Sequence, residues 1–197
     1  MGKSGIKKRS EKLTPAVFLD RDGTLILDKH YLSSPDKVKL YSCAAESVKK
    51  LRAAGFKIIV VTNQSGIARG MFSQKDLAKV NRQFLSLLKK QGAKIDGLYY
   101  CPHIDDDNCN CRKPKTGMVL QAAKEHNIDL SRSYAVGDSV RDYMLGNNFG
   151  GKGVFILTGH GKKQARNLRK QKTKPLAVCK NIKQAAVLVI KNAKENM

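Results

Sequence analysis

The sequence predicts an α/β fold, a parallel sheet with helices packed on both faces. Three observations carry that expectation. Short apolar runs rich in Val, Ile, Leu and Phe recur along the 197 residues; they are too short for helices and apolar throughout, as strands buried on both faces are. Amphipathic stretches of helical period separate them, the alternation that winds a parallel sheet with right-handed crossovers. The residues that follow the runs are polar or acidic, which gathers reactive groups beyond the carboxyl ends of the strands, where such sheets bind ligands.

Residues 1–13 form a basic head carrying Lys3, Lys7, Lys8, Arg9 and Lys12, read as a flexible arm ahead of a single domain over 14–195. The first strand, 16–19, ends in Asp20-Arg21-Asp22-Gly23-Thr24, and the polar connection 28–35 faces that acidic pair. Helical patterning over 44–54 sets Val48 and Leu51 on one face, with Gly55 as its stop. The second strand, 56–61, ends in Thr62-Asn63-Gln64-Ser65-Gly66. An amphipathic helix follows over 76–90, with Leu77, Val80, Phe84, Leu87 and Leu88 inward and Gly92 ending it. The third strand, 97–101, runs into a Cys/His cluster. Thr116 is placed as the N-cap of a helix through 127. A short strand over 134–136 ends in Gly137-Asp138, followed by a short helix over 139–147 and a strand over 154–157. The Lys/Arg run from Lys162 to Lys174 receives no element. An edge strand over 176–179 and an amphipathic helix over 182–193 close the fold.

Lys and Arg number 38 against 16 Asp and Glu, a formal net charge of +22. Such a surface attracts phosphorylated ligands, from sugar phosphates to nucleic acids. No aromatics interleave the basic runs, so contact with nucleic acid is expected to be nonspecific. No apolar run reaches membrane-spanning length and the start lacks a secretory hydrophobic centre, which predicts a soluble, cytoplasmic chain. The five cysteines are an odd number, and Cys101, Cys109 and Cys111 crowd together, a pattern of metal binding more than of disulfides.

Asp20 and Asp22 point the same way while the chain stays extended. Two carboxylates that close repel unless a cation or proton lies between them. A divalent metal satisfies the pair, with Asp20 as nucleophile and Asp22 exchanging protons; the plainer alternative is a polar turn after a strand. Asp138 supplies a third carboxylate, and hard oxygen donors with waters and a phosphate suit octahedral magnesium. Thr62 offers a hydroxyl and Lys113 an ammonium to a charged phosphoryl group, an inventory suited to phosphoryl transfer. Cys101, His103, Cys109 and Cys111 can complete a tetrahedral zinc shell, structural because protein fills all four positions. Arg112 and Lys113 come directly after Cys111, so closing that loop on zinc sets two cations at the site. Asp105, Asp106 and Asp107 read as the solvated tip of the loop.

Asp20-x-Asp22-Gly23-Thr24, Thr62-Asn63, Lys113-Pro114 and Gly137-Asp138-x-x-x-Asp142 resemble the four motifs of the haloacid-dehalogenase-like phosphatases, over about residues 13–195. The resemblance implies a Rossmann-like sheet without a large cap domain. It implies that Asp20 forms an aspartyl-phosphate and that Asp22 protonates the leaving oxygen, then deprotonates the hydrolytic water. Thr62 and Lys113 would hold the phosphoryl oxygens, and Asp20, the Asp22 backbone carbonyl and Asp138 would hold magnesium. Cys101-Pro102-His103 with Cys109-x-Cys111-Arg112-Lys113-Pro114 resembles two related branches, the heptose bisphosphate and the histidinol-phosphate phosphatases. Residues 62–70 and 112–118 look more like the first. That likeness implies removal of the 7-phosphate of a heptose 1,7-bisphosphate in lipopolysaccharide precursor synthesis. Histidinol phosphate is the alternative substrate, and a nucleic-acid 3′-phosphatase the more distant one. The implied substrate contacts are Asp28, Lys29, His30, Tyr31, Asn63, Gln64, Ser65 and Arg112, with Arg69 and Arg112 the guanidiniums available to a second phosphate. The lack of room for a cap predicts an open site and a monomer.

Overall fold

Strand β1 (Thr14–Leu19) lies in the middle of a six-stranded parallel sheet in a computed structural model that describes residues 13–196. The expected basic arm falls outside the described residues except for its last residue, Leu13. From β1 the chain steps outward through β2 (Lys57–Asn63) to β3 (Gly97–Cys101). It then returns to the other side of β1 with β4 (Ile128–Gly137) and continues to β5 (Lys152–Ile156) and β6 (Ala177–Cys179). The strand order is β3-β2-β1-β4-β5-β6. Its reversal falls between β1 and β4, so the loops leaving those two strands part and open a crevice at their carboxyl ends.

Period-2 alternation divides β1 between two cores. Val17 and Leu19 join Ile58, Val60, Tyr134 and Val136 under α1 (Ala44–Ala53), α2 (Gln74–Lys90) and α6 (Ile182–Glu195). Ala16 and Phe18 join Ile59, Val61 and Ala135 under α3 (Gly117–His126) and α4 (Val140–Asn148). Both faces are therefore covered, which is why the strands read as unbroken apolar runs.

The elements depart from the sequence reading where polar residues hide them. β2 runs on through Thr62 and Asn63, which pair with Tyr100 and Cys101, so these residues end a strand and do not open a turn. β4 begins at Ile128, well before the expected start. Its pairing with β1 slips between Pro15 and Val17, where the Ser133 hydroxyl accepts the Ala16 N–H at 2.9 Å. α2 starts at Gln74 because Ser73 and Asp76 form a reciprocal capping box. Thr116 does occupy the N-cap position of α3, but its side chain makes no capping bond. The unassigned basic run contains α5 (Gly161–Leu168), whose only buried residue is Gly161. Lys162, Lys163, Arg166, Arg169, Lys170, Lys172 and Lys174 are all exposed. Gly161, Gln164, Ala165 and Leu168 keep helical spacing on the covered side, but only two of them are apolar side chains that could announce it. Among the described residues no helix is long and apolar enough to cross a membrane.

Candidate active site

The carboxyl ends of β1, β2 and β4, with the loop after β3, surround a cavity of about 360 Å³. Asp20 follows the last residue of β1, and its N–H still bonds the Val136 carbonyl of β4 at 2.9 Å. Asp138 follows the last residue of β4, and Asp142 stands in the first turn of α4, where its carboxylate accepts the Ser139 N–H at 2.9 Å. Ligand oxygens of Asp20, Asp138 and Asp142 all lie within 4.8 Å of one another, and all three residues are buried. Asp138 fits because glycines make room for it. Gly23 adopts φ +81°, a conformation open to glycine, and a Cβ there would lie 2.3 Å from Asp138 Oδ2.

Lys113, 3 % exposed, is the cation of this floor. Its Nζ lies 2.6 Å from Asp20 Oδ1, 2.7 Å from Asp142 Oδ1 and 2.8 Å from the Val61 carbonyl, three acceptors for three N–H groups. Burial works against its charge, but Asp142 and Asp20 outweigh that and hold the ammonium above the ordinary lysine range. The same crowding acts on the acids. Burial pushes Asp20 up to about 7, with Asp142 and Asp22 adding repulsion against the pull of Lys113. Burial, then Asp20 and Asp142, push Asp138 up to about 8. Three buried carboxylates facing one lysine lack positive charge, and their oxygen donors suit a hard divalent cation.

Asp22 faces the same cavity, its carboxylate held from the protein side. Arg21, fully buried, binds Asp22 Oδ2 from Nη2 at 2.8 Å and from Nε at 3.1 Å, and its Nη1 reaches Asn81 Oδ1 on α2 at 2.5 Å. Gln64 Nε2 adds a bond to Asp22 Oδ2 at 2.8 Å and another to Thr62 Oγ1 at 2.8 Å. The Thr62 hydroxyl makes a long contact of 3.4 Å to Asp22 and so has a proton free for a ligand.

Beside the floor, the loop from Cys101 to Cys111 closes on itself. Cys101 Sγ is 3.6 Å from Cys109 Sγ and 3.7 Å from His103 Nδ1, while Cys111 Sγ is 3.4 Å from Cys109 Sγ and 3.3 Å from His103 Nδ1. A tetrahedron with metal–sulfur bonds of about 2.3 Å has edges of roughly 3.5–3.8 Å, so the four ligand atoms fit a zinc ion. Burial pushes the Cys101 thiol up to about 12. For Cys109 burial acts the same way, but hydrogen bonds from Cys111, the Arg112 amide and Cys101 prevail and bring it down to about 7. The loop is locked to β2: the Lys113 N–H bonds Asn63 Oδ1 at 3.0 Å and the Asn63 amide returns a bond to the Lys113 carbonyl at 3.3 Å.

A model of the HAD-hydrolase-like family matches residues 110–185. The D-glycero-beta-D-manno-heptose-1,7-bisphosphate 7-phosphatase of Pasteurella multocida is 41% identical over 162 residues, spanning 76% of this chain and 88% of that protein. Its namesake in Helicobacter pylori (strain J99) is 40% identical over 161 residues, 78% of this chain and 92% of that protein. This chain belongs to the haloacid-dehalogenase-like phosphatases. It is a phosphoric monoester hydrolase. Among solved structures, D,D-heptose 1,7-bisphosphate phosphatase from B. bronchiseptica, complexed with magnesium and phosphate, superposes with a TM-score of 0.80 at 30% identity, covering 90% of this chain and 99% of that one.

In this phosphatase the cavity gathers most of the residues singled out from the sequence. Asp20, Asp22, Asp28, His30, Tyr31, Thr62, Asn63, Gln64, Ser65, Arg112, Lys113 and Asp138 all line it. Lys29 and Arg69 do not: both are exposed and neither is in the cavity wall. The guanidinium that joins Arg112 there is Arg141, which the sequence reading passed over because it fills one of the unspecified positions between Asp138 and Asp142. Asp142 itself was visible as the last residue of that motif but had no role attached. His160 is a further addition, bonding Asp138 Oδ2 through its N–H at 2.6 Å and Asp28 Oδ2 through Nε2 at 2.6 Å. Asp105 is not merely solvated: it pairs with Arg112 and Arg141, which hold its carboxyl down to about 2.

Proposed function

We propose that this chain removes the 7-phosphate of a heptose 1,7-bisphosphate with the help of magnesium. The observation that carries the reading is one cavity with a buried Asp20–Lys113–Asp142 floor and Arg112 on its wall, in a chain whose relatives at about 40% identity are named for that reaction.

Lys113 occupies one Asp20 oxygen, and the other attacks phosphorus, forming an acyl phosphate as the phosphorus–oxygen bond to the sugar breaks. Asp22 passes its proton to the departing sugar oxygen. It then takes a proton from the water that attacks the aspartyl-phosphate, releasing phosphate and restoring Asp20. Arg21 and Gln64 hold Asp22 beside Thr62 for both transfers. The Thr62 hydroxyl donates to a phosphoryl oxygen. Lys113 does the same only by loosening one of its three present contacts, so its first task is to hold and charge-balance Asp20. Asp20, Asp138 and the Asp22 carbonyl would hold magnesium, which when bound neutralises the phosphoryl charge. Asp142 keeps Lys113 in place from the opposite side. Cys101, His103, Cys109 and Cys111 would hold zinc, which when bound would stiffen the loop that carries Arg112 to the second phosphate.

Phosphate release in the presence of magnesium tests the reading, with both anomers of heptose 1,7-bisphosphate, histidinol phosphate and a 3′-phosphorylated oligonucleotide as substrates. A kcat/KM for one heptose anomer at least about 10-fold above the other classes is expected. Preference for histidinol phosphate or the oligonucleotide overturns it.

A further inference from the structure

Arg112 and Arg141 reach the cavity from different parts of the chain, the Cys/His loop and the first turn of α4. One carboxylate ties them together. Asp105 Oδ1 accepts from Arg112 Nε at 3.0 Å, and Asp105 Oδ2 accepts from Arg141 Nη2 at 3.1 Å, with Arg112 Nη2 3.5 Å away. Arg112 has a second anchor, the His103 carbonyl, which it meets through Nη1 at 3.0 Å.

Neither stability nor helix formation accounts for this arrangement. The Asp105 side chain is 60% exposed and that of Arg141 41%, and an ion pair so exposed contributes little to folding; Arg112, 12% exposed, is already held by the His103 carbonyl. A cation in the first turn of a helix also opposes the helix dipole, which favours anions there. Two guanidiniums on one cavity wall repel each other unless an anion lies between them. Asp105 is that anion, and its own side chain is mostly in solvent.

We propose that Arg141 and Arg112 form a two-guanidinium fork for the phosphate that is not cleaved, and that Asp105 fills this fork until substrate displaces it. The inference rests on the bisphosphate reading above. A phosphate monoester carries about −1.5 to −2 charges and three acceptor oxygens at neutral pH, against one charge and two oxygens for a carboxylate. It therefore satisfies both guanidiniums better than Asp105 does. Arg141 is thereby a specificity-determining residue, and Asp105 a competitor that a second phosphate must displace and that a monophosphate leaves in place.

The test compares KM and kcat for heptose 1,7-bisphosphate and heptose 7-phosphate in the magnesium-loaded wild type, Arg141→Met and Asp105→Asn. Arg141→Met is expected to raise KM for the bisphosphate on the order of 10-fold more than for the monophosphate, with kcat falling far less. Asp105→Asn is expected to lower KM for the bisphosphate and leave that for the monophosphate nearly unchanged. Equal KM changes for the two ligands in Arg141→Met, or a higher bisphosphate KM in Asp105→Asn, overturn the proposal. A second arm separates its failure from that of the heptose reading: competition by fructose 1,6-bisphosphate and by fructose 6-phosphate against p-nitrophenyl phosphate. A wild type that cleaves p-nitrophenyl phosphate but no heptose bisphosphate refutes the substrate. The fork still stands if the sugar bisphosphate competes better than the monophosphate and Arg141→Met removes that advantage, and falls if it does not.

Discussion

The floor of the cavity and its rim hold charge in opposite ways. On the floor, Lys113 is almost wholly buried and meets Asp20, Asp142 and a backbone carbonyl within 2.8 Å. On the rim, Asp105 and Arg141 meet in solvent, and Asp105 also holds Arg112, whose side chain is largely covered. A charge in the interior is costly when its partner is removed, whereas a solvated pair is screened and exchanges partners freely. The chemistry of bond breaking is thus built where nothing moves without a penalty, and the choice of substrate is left to groups that can let go of one another.

The contrast is broken most severely at Asp20. Asp20→Asn keeps the shape and the Lys113 contact but removes the attacking oxyanion, so turnover is expected to fall by more than about 10³-fold. Circular dichroism and the urea midpoint should stay close to wild type. Substantial residual phosphate release from that variant would sink the nucleophile assignment.

A smaller effect separates floor from rim directly. Lys113→Met leaves Asp20 and Asp142 buried without their shared cation and is expected to cost about 3–5 kcal/mol in urea unfolding. Arg141→Met, which breaks the exposed pair with Asp105, should cost about 1 kcal/mol or less. Similar losses for the two variants would show that floor and rim are not energetically distinct.

That division also explains what was legible in the sequence. Asp20, Thr62 and Asp138 sit at or just beyond strand ends, and the apolar runs before them announce those ends, while Lys113 lies well past β3 and is marked by the Cys/His cluster before it. Cys101, His103, Cys109 and Cys111 are spaced closely enough to be read together. Arg141 and Asp105 make their contact 36 residues apart on loop and helix surfaces with no periodicity, so no local pattern marks them. Arg69 failed for the converse reason: proximity in sequence to Thr62 placed it near the site, while the turn 64–70 carries it to the surface. In α5 the covered face, Gly161, Gln164, Ala165 and Leu168, keeps helical spacing, but its two apolar side chains are easily lost among the surrounding Lys and Arg.

The smallest expected effect falls on the loop that joins the two regions. Arg112 follows Cys111 directly and is bonded to the His103 carbonyl, so its position depends on the Cys/His shell. Lys113, one residue on, has an independent hold, the reciprocal pair of bonds with Asn63 and its contacts to Asp20 and Asp142. Removing zinc should therefore loosen the rim and spare the floor. Purified protein is expected to carry about one zinc per chain. Cys109→Ser, or stripping by a chelator followed by restored magnesium, should raise KM on the order of 10-fold while kcat changes by less than about twofold. Metal analysis paired with steady-state kinetics checks both halves. A zinc-free preparation with unchanged KM would show that the shell does not hold Arg112. A collapse of kcat at constant KM would show that Lys113, against the geometry of its Asn63 clamp, depends on the metal as much as Arg112 does.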